Sequence, residues 1–230
     1  MVSRKYQCIF VHIPKTAGQS IESFFLKLHG LTWEERAPLL LRQNEDPTRG
    51  PERLAHLTAC EYLEFAHVSI EEFQEYFKFA FVRNPWSRLV SEYRYRSIYH
   101  KLNFKEFLTR GLPQRCKFSD LYRHIQPQCE FVFDENGKPL VDFVGRFEDL
   151  QRDFDTVCAR LSIQSSVLPV RNHSPKKVAS SWRGINWLLS KADPQAPEHY
   201  SSYYDQEMKE LVGEMYAEDI HAFGYSFHRQ

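Results

Sequence analysis

The chain has 230 residues, and its 30 Lys and Arg balance 30 Asp and Glu, so the formal charge is zero. That length suits one domain, 1–230, with a sizeable core, and the balance gives no overall reason to expect a nucleic-acid or strongly polyanionic partner, although a local basic pocket stays open. No apolar run approaches the roughly 18 residues of a membrane span, no apolar stretch follows the charged start Met1–Tyr6 as a signal peptide requires, and the five scattered cysteines suit reduced thiols in a cytosol better than disulfides or a zinc site.

In chain order, Cys8-Ile9-Phe10-Val11-His12-Ile13 is short, apolar and bounded by Pro14, which predicts a buried strand. Lys15-Thr16-Ala17-Gly18-Gln19-Ser20 predicts a tight turn, and Ile21 to Leu28 has apolar residues at helical spacing. A helix that starts at such a turn offers an anion its first N–H groups and the positive end of its dipole. Lys15 adds a full charge, Thr16 and Ser20 add hydroxyls, and small Ala17 and Gly18 let the backbone approach a ligand. The lysine precedes the only glycine of the turn, so this is not the Walker A pattern. The plain alternative is an ordinary strand–turn–helix with a surface lysine.

Residues 34–56, with three prolines and a polar run, predict a helix fragment and a long loop, either a lid or acceptor-binding element or merely a connection. Phe65 to Ser69 reads as a short strand-like piece, and Ser69 as the cap of a helix over 70–76. Phe77 to Val82 predicts a second strand that stops at Arg83. Asn84-Pro85 then opens a helix through Tyr93, with Ser91 two turns on and on the face of Ser87. Residues 96–125 read as irregular helix. Phe131–Phe133 and Val141–Val144 predict two strands around an Asn-Gly turn. An amphipathic helix ending near Leu161, a basic loop from Arg171 to Lys177 and a final helix from Tyr203 to Phe223 complete the chain. Two strand–turn–helix units, each with a cation at its turn, predict an α/β fold: a mostly parallel sheet flanked by helices, with ligands at the strands' C-terminal ends. Lys15 on one and Arg83 with Ser91 on the other suit a ligand with two separated anionic groups. No acidic cluster marks a magnesium site.

Phe10-Val11-His12-Ile13-Pro14-Lys15-Thr16-Ala17-Gly18 resembles the 5′-phosphosulfate loop of sulfotransferases that use 3′-phosphoadenosine 5′-phosphosulfate (PAPS), and Phe81-Val82-Arg83-Asn84-Pro85-Trp86-Ser87-Arg88-Leu89-Val90-Ser91 resembles their 3′-phosphate motif. The most similar branch is the carbohydrate group that contains the heparan and uronyl 2-O-sulfotransferases and related bacterial proteins. Val144 to Leu150 and the tail Tyr203 to Tyr225 are also similar to that group. The likeness fades over 30–60 and 97–125, where acceptor choice is expected to reside.

The resemblance implies a P-loop-like architecture, PAPS as co-substrate, no metal, and a sugar or small-metabolite acceptor. It implies that Lys15 holds the 5′-phosphate, that Thr16, Ala17, Gly18, Gln19 and Ser20 line the phosphosulfate, and that Arg83 and Ser91 grip the 3′-phosphate. Ser174 and Lys176 are the choices in the loop that closes over the nucleotide in relatives. His67 is the first choice of general base, because Ala66-His67-Val68-Ser69 resembles the segment that carries the base histidine in the 2-O branch, with Ala66 where a glycine is usual. Glu22 and His12 follow, and His100 and His173 rank below them. A structural His67, a nucleotide kinase or ATPase with a degenerate phosphate loop, and an inactive nucleotide-binding module are the competing readings. Acceptor and oligomeric state are not set by the sequence.

Overall fold

The computed structural model describes residues 1–169 and 199–228. In chain order they form β1 (Val2–Ser3), β2 (Cys8–Val11), α1 (Gly18–His29), α2 (Ala59–Glu64), α3 (Ile70–Glu75), β3 (Phe77–Val82), α4 (Pro85–Tyr95), α5 (Phe104–Glu106), α6 (Asp120–Arg123), α7 (Cys129–Val132), β4 (Phe143–Arg146) and α8 (Leu150–Arg160), then two C-terminal helices, Gln206–Met215 and Ala217–Phe223. They fall into two compact units, Met1–Arg83 with Gln114–Pro169 and Asn84–Pro113 with the described residues 199–228. No described helix is long and apolar enough to cross a membrane.

The first unit holds the sheet. Its order is β1-β2-β3-β4, with β1 antiparallel to β2 and the other pairs parallel. This is the expected α/β architecture. Alternation along the strands sends Cys8, Phe10, Phe79 and Phe81 to one face, where they join Ile21, Phe24 and Phe25 of α1 and Phe154 and Val157 of α8 in one buried core. Phe10 stacks on Phe79 at 5.1 Å, and Phe24 meets Phe154 edge-on at 4.8 Å. Each such ring removes enough apolar surface from water to contribute about 2 kcal/mol. Ile9, Val11, Ala80 and Val82, which alternate with them, are buried as well. A parallel sheet covered on both faces reads as continuous apolar runs, and that is why the two strands were visible in the sequence. Gly145 matters to this packing: a Cβ there would lie 2.5 Å from the Phe81 ring.

In the second unit, α4 packs through aromatic side chains. Tyr93 meets Phe104 at 5.2 Å, Phe104 meets Tyr204 at 5.0 Å and Trp86 meets Phe227 at 5.5 Å. The Tyr204 hydroxyl donates to the Trp86 carbonyl at 2.9 Å, and the Trp86 indole donates to the Lys209 carbonyl at 3.0 Å. These contacts fix the C-terminal tail on α4.

Three expectations are corrected. Phe65–Ser69 is not strand-like but the exit of α2. Thr58 and Glu61 start that helix with a reciprocal capping box, and Ala66 turns left-handed after it at φ 51°. The first arm of the expected hairpin is instead helix α7. Its turn exists, with Gly137 at φ 76°, but pairing shrinks to the bridge Phe133–Pro139, and β4 pairs with β3. The final helix is two, interrupted at Tyr216, whose φ of −121° leaves helical geometry. Ser69 caps α3 with a capping box to Glu72, as expected. Residues 34–56 carry short 3₁₀ turns at Ala37–Leu39, Pro47–Arg49 and Leu54–His56.

Candidate active site

Parallel β2 and β3 bring their C-terminal turns side by side in the first unit. After Pro14, Lys15 and Ala17 both adopt left-handed backbone, at φ 74° and 71°. For residues with a Cβ this costs roughly 1–3 kcal/mol each, strain that a ligand-binding turn can hold. Ala17 immediately precedes α1, and no side chain caps the helix there. Thr16 is buried and its hydroxyl donates to the Ile13 carbonyl at 2.8 Å. Its proton therefore shapes the turn, leaving Thr16 its backbone N–H and oxygen lone pairs for other contacts.

Gly18 is required by its neighbour, because a Cβ on it would lie 2.0 Å from His12 Nε2. The imidazole fills the space a side chain would take, which puts Nε2 against the first residue of α1. On its other side, His12 Nδ1 is 2.6 Å from Glu22 Oε1, one helical turn beyond Gly18. Both side chains are buried. Burial raises the Glu22 carboxyl, but the charge and hydrogen bond of His12, together with the charges of the Met1 amine and His56, hold the group below the usual carboxylate range. With Nδ1 engaged by Glu22, Nε2 is the ring nitrogen that faces the turn.

Arg83, at the end of β3, donates from Nη1 to the Lys15 carbonyl at 3.2 Å, and its guanidinium lies 4.0 Å from the centre of the Phe147 ring. Its backbone is clamped by Gln128: the side-chain oxygen accepts from Arg83 N, and the side-chain amide donates to Arg83 O, both at 2.8 Å. The structure thus joins Lys15 to Arg83 and gives the Val144–Leu150 segment a contact there, since it supplies Phe147. Gln128 was missed. It stands between Gln126 and Glu130 in a stretch with no local pattern, so its burial was not visible in the sequence.

A second network was also missed. His56 packs edge-on to His12 at 5.0 Å, and its Nδ1–H donates to Asp120 at 2.7 Å. Burial pushes the His56 imidazole down to about 4. Burial raises the Asp120 carboxyl, but the His56 hydrogen bond together with the charges of His56, His124 and Arg53 more than offsets this and holds it well below the usual carboxylate range. His56, Asp120 and His124 each bring one ligand-capable atom within 4.8 Å of the others. Beside them Arg123 is buried against Glu61 by two hydrogen bonds of 2.8 and 2.6 Å, and it donates to the His56 carbonyl at 2.7 Å. Breaking such a pair costs about 3–5 kcal/mol, so it anchors the 54–56 turn. A cavity of about 470 Å³ opens here, with His12, Gln19, Glu22 and His56 in its wall.

His67 does not line that cavity. Its Nε2 lies 2.9 Å from the Arg49 carbonyl, so Nε2 carries the proton and Nδ1 the lone pair. Burial lowers its affinity for a second proton, and the charges of Arg49 and Arg42 lower it further. Ser91 sits on α4, in the second unit, and His100 is exposed at the end of the turn Ile98–His100. Ser174, Lys176 and His173 lie outside the described residues.

Residues 1–226 match the sulfotransferase family. Over 95 residues, 40% of this chain and 72% of the other, the sequence is 33% identical to a protein of Archaeoglobus fulgidus described as uncharacterized. No solved structure matches. The chain belongs to the sulfotransferase family, whose general chemistry is sulfuryl transfer.

Proposed function

We propose that the chain transfers the sulfuryl group of PAPS to an acceptor hydroxyl of a sugar or small metabolite. The acceptor oxygen attacks sulfur in line, the bond to the bridging oxygen breaks, and 3′,5′-ADP leaves. The observation that carries this reading is the uncapped start of α1 behind two left-handed residues, tied to Arg83 through the Lys15 carbonyl. In this role Lys15 neutralises charge that develops on the leaving oxygen, the turn from Thr16 to Ser20 holds the phosphosulfate, and Arg83 holds the 3′-phosphate. Ser91, Ser174 and Lys176 join the donor contacts on the strength of the sequence likeness. The same likeness supports the carbohydrate branch. The family match across residues 1–226 supports a single sulfotransferase domain over 1–230. The five free cysteines support a cytoplasmic enzyme.

The acceptor proton needs a base. The sequence likeness supports His67, which burial keeps neutral and so able to accept. A second reading rests on one observation: His12, oriented by Glu22, lines the cavity and sets Nε2 against Gly18. No step in the proposal uses a metal.

Calorimetric titration with 3′,5′-ADP and with ATP plus Mg²⁺, together with transfer of labelled sulfate from PAPS, tests the reading. The expected result is binding of 3′,5′-ADP and transfer that survives EDTA. Binding of ATP with Mg²⁺ alone would instead support a kinase or ATPase, and 3′,5′-ADP binding without transfer across an acceptor panel would support an inactive module.

A further inference from the structure

Two imidazoles and a carboxylate meet inside the first unit, and neither donor turn uses them. Asp120 opens α6, His124 follows that helix one turn on, and His56 reaches them from the Leu54–His56 turn, 64 residues before Asp120. We propose that His56, Asp120 and His124 bind one divalent transition-metal ion of the zinc type. The ion ties the 54–56 turn to α6 and takes no part in the bonds made and broken at sulfur. The site stands whether or not the chain transfers sulfuryl groups.

The donor set selects the class of metal. Two imidazole nitrogens with one carboxylate oxygen suit zinc and its transition-metal neighbours, whereas magnesium and calcium take oxygen donors. Zinc holds nitrogen and oxygen at about 2.0–2.2 Å in a tetrahedron, so neighbouring donor atoms stand about 3.3 Å apart. Here His56 Nδ1 lies 2.7 Å from Asp120 Oδ1 and His124 Nε2 lies 3.8 Å from Asp120 Oδ2, with all three donors within 4.8 Å of one another. The first spacing opens and the others close, by about an ångström or less for each side chain. The proton on His56 Nδ1 moves to Nε2 as the Nδ1 lone pair turns to the metal, so the ring stays neutral. Three protein donors leave the fourth position to water.

The ligands are held from behind. Arg123 donates to the His56 carbonyl at 2.7 Å, and its charge is matched by two hydrogen bonds to Glu61, so it fixes the turn beside a cation. The His56 ring packs edge-on against His12 at 5.0 Å and against His124 at 5.3 Å. Arg53 approaches Asp120 Oδ2 at 3.5 Å, and its side chain is 48% exposed, so it withdraws to water as the ion takes its place. His56 shares the cavity wall with Trp33, Arg36 and Arg42. An ion on its ring therefore anchors the end of the stretch that builds that wall.

The test strips the full chain with a chelator, desalts it, and titrates it with Zn²⁺ by calorimetry and with Co²⁺ by visible absorption. One ion per chain should bind, with the d–d bands of four-coordinate Co²⁺. Zn²⁺ at 100-fold its Kd should raise Tm by about 5–10 °C, and Mg²⁺ should not. Asp120→Asn and His124→Gln keep the side-chain shape, and their fold is checked by circular dichroism. Each should weaken Zn²⁺ binding by more than the roughly 10–100-fold of an outer-shell change, while Cys116→Ser and His221→Ala leave it unchanged. In wild type, imidazole ¹⁵N shifts on adding Zn²⁺ should appear at His56 and His124, a readout that does not need either variant to fold. Failure of wild type to bind one ion, affinity undiminished in both variants, or shifts confined to other histidines overturns the inference.

Discussion

β2 with α1 and β3 with α4 repeat one topology, yet their helices begin in opposite ways. α1 starts after Ala17 in left-handed conformation with no side-chain cap. α4 starts at Asn84, whose side chain accepts from the Ser87 N–H at 3.3 Å, with Pro85 at the first helical position. A cap and a proline satisfy or remove the N–H groups that an anion would use. On the sulfotransfer reading proposed above, the first turn would meet a phosphosulfate at a helix start that no side chain caps, whereas the second would meet an anion through the Arg83 side chain. The same strand–turn–helix plan thus carries two different helix starts, one uncapped behind Ala17 and one closed by Asn84 and Pro85.

The sharpest way to break this comparison is to remove the base, since proton transfer is the step neither turn supplies through its backbone. General-base loss lowers kcat by roughly 10²–10⁴-fold. If His67 is the base, His67→Ala shows that fall with 3′,5′-ADP affinity unchanged, and His12→Gln does not. Because burial depresses His67, and only the neutral ring accepts a proton, wild-type kcat should hold constant to below the ordinary histidine value and decline at lower pH. That acidic limb disappears in His67→Ala. Its survival there, with loss in His12→Gln, assigns the base to the His12–Glu22 pair.

Lys15→Ala comes next. Its side chain belongs to the uncapped turn and contributes charge rather than packing, so the fold should persist by circular dichroism while kcat falls by about 10²–10³-fold. Turnover within a factor of two of wild type would remove Lys15 from the mechanism. Arg83→Ala sharpens the other half. A charge-assisted contact to a buried phosphate contributes about 1.5–3 kcal/mol, or roughly 10–150-fold in affinity. The variant should therefore narrow the preference for 3′,5′-ADP over 5′-AMP by that factor, and an unchanged ratio places the 3′-phosphate contact elsewhere.

The two turns were legible in the sequence because their signals are local: apolar runs that end at Pro14 and Arg83, a cap at Asn84, and helical spacing after each. What joins them was not. The Gln128 clamp on Arg83 spans 45 residues of chain and the Arg123–Glu61 pair spans 62, and neither leaves a local pattern. The cavity suffered the same fate, since Trp33, Arg36 and Arg42 lie in a stretch with little regular periodicity. The expected hairpin shows the converse error. Its Asn-Gly turn formed as read, but the pairing of Phe79 with Phe143 took the second arm into the parallel sheet. A turn signal specifies the turn and leaves the partner of each arm to tertiary packing.

The smallest expected effects test the helix starts themselves. Asn84→Ala deletes the bond to Ser87 N and the 2.9 Å bond from the Asn84 amide to the Ser226 carbonyl, so stability should fall by about 1 kcal/mol or somewhat more. Ala17→Gly removes no cap, because α1 has none. It relieves the cost of a Cβ at φ 71°, about 1–2 kcal/mol, and adds unfolded-chain entropy that opposes folding by about 0.4–1 kcal/mol. The gain equals or exceeds the cost, so Ala17→Gly should leave stability unchanged or raise it by up to about 1.5 kcal/mol. Thermal melts of the two variants in parallel read the difference. A loss in Ala17→Gly as large as in Asn84→Ala would mean that the first turn depends on its side chain as the second does, and the contrast between a ligand-facing backbone and a self-satisfied one would fail.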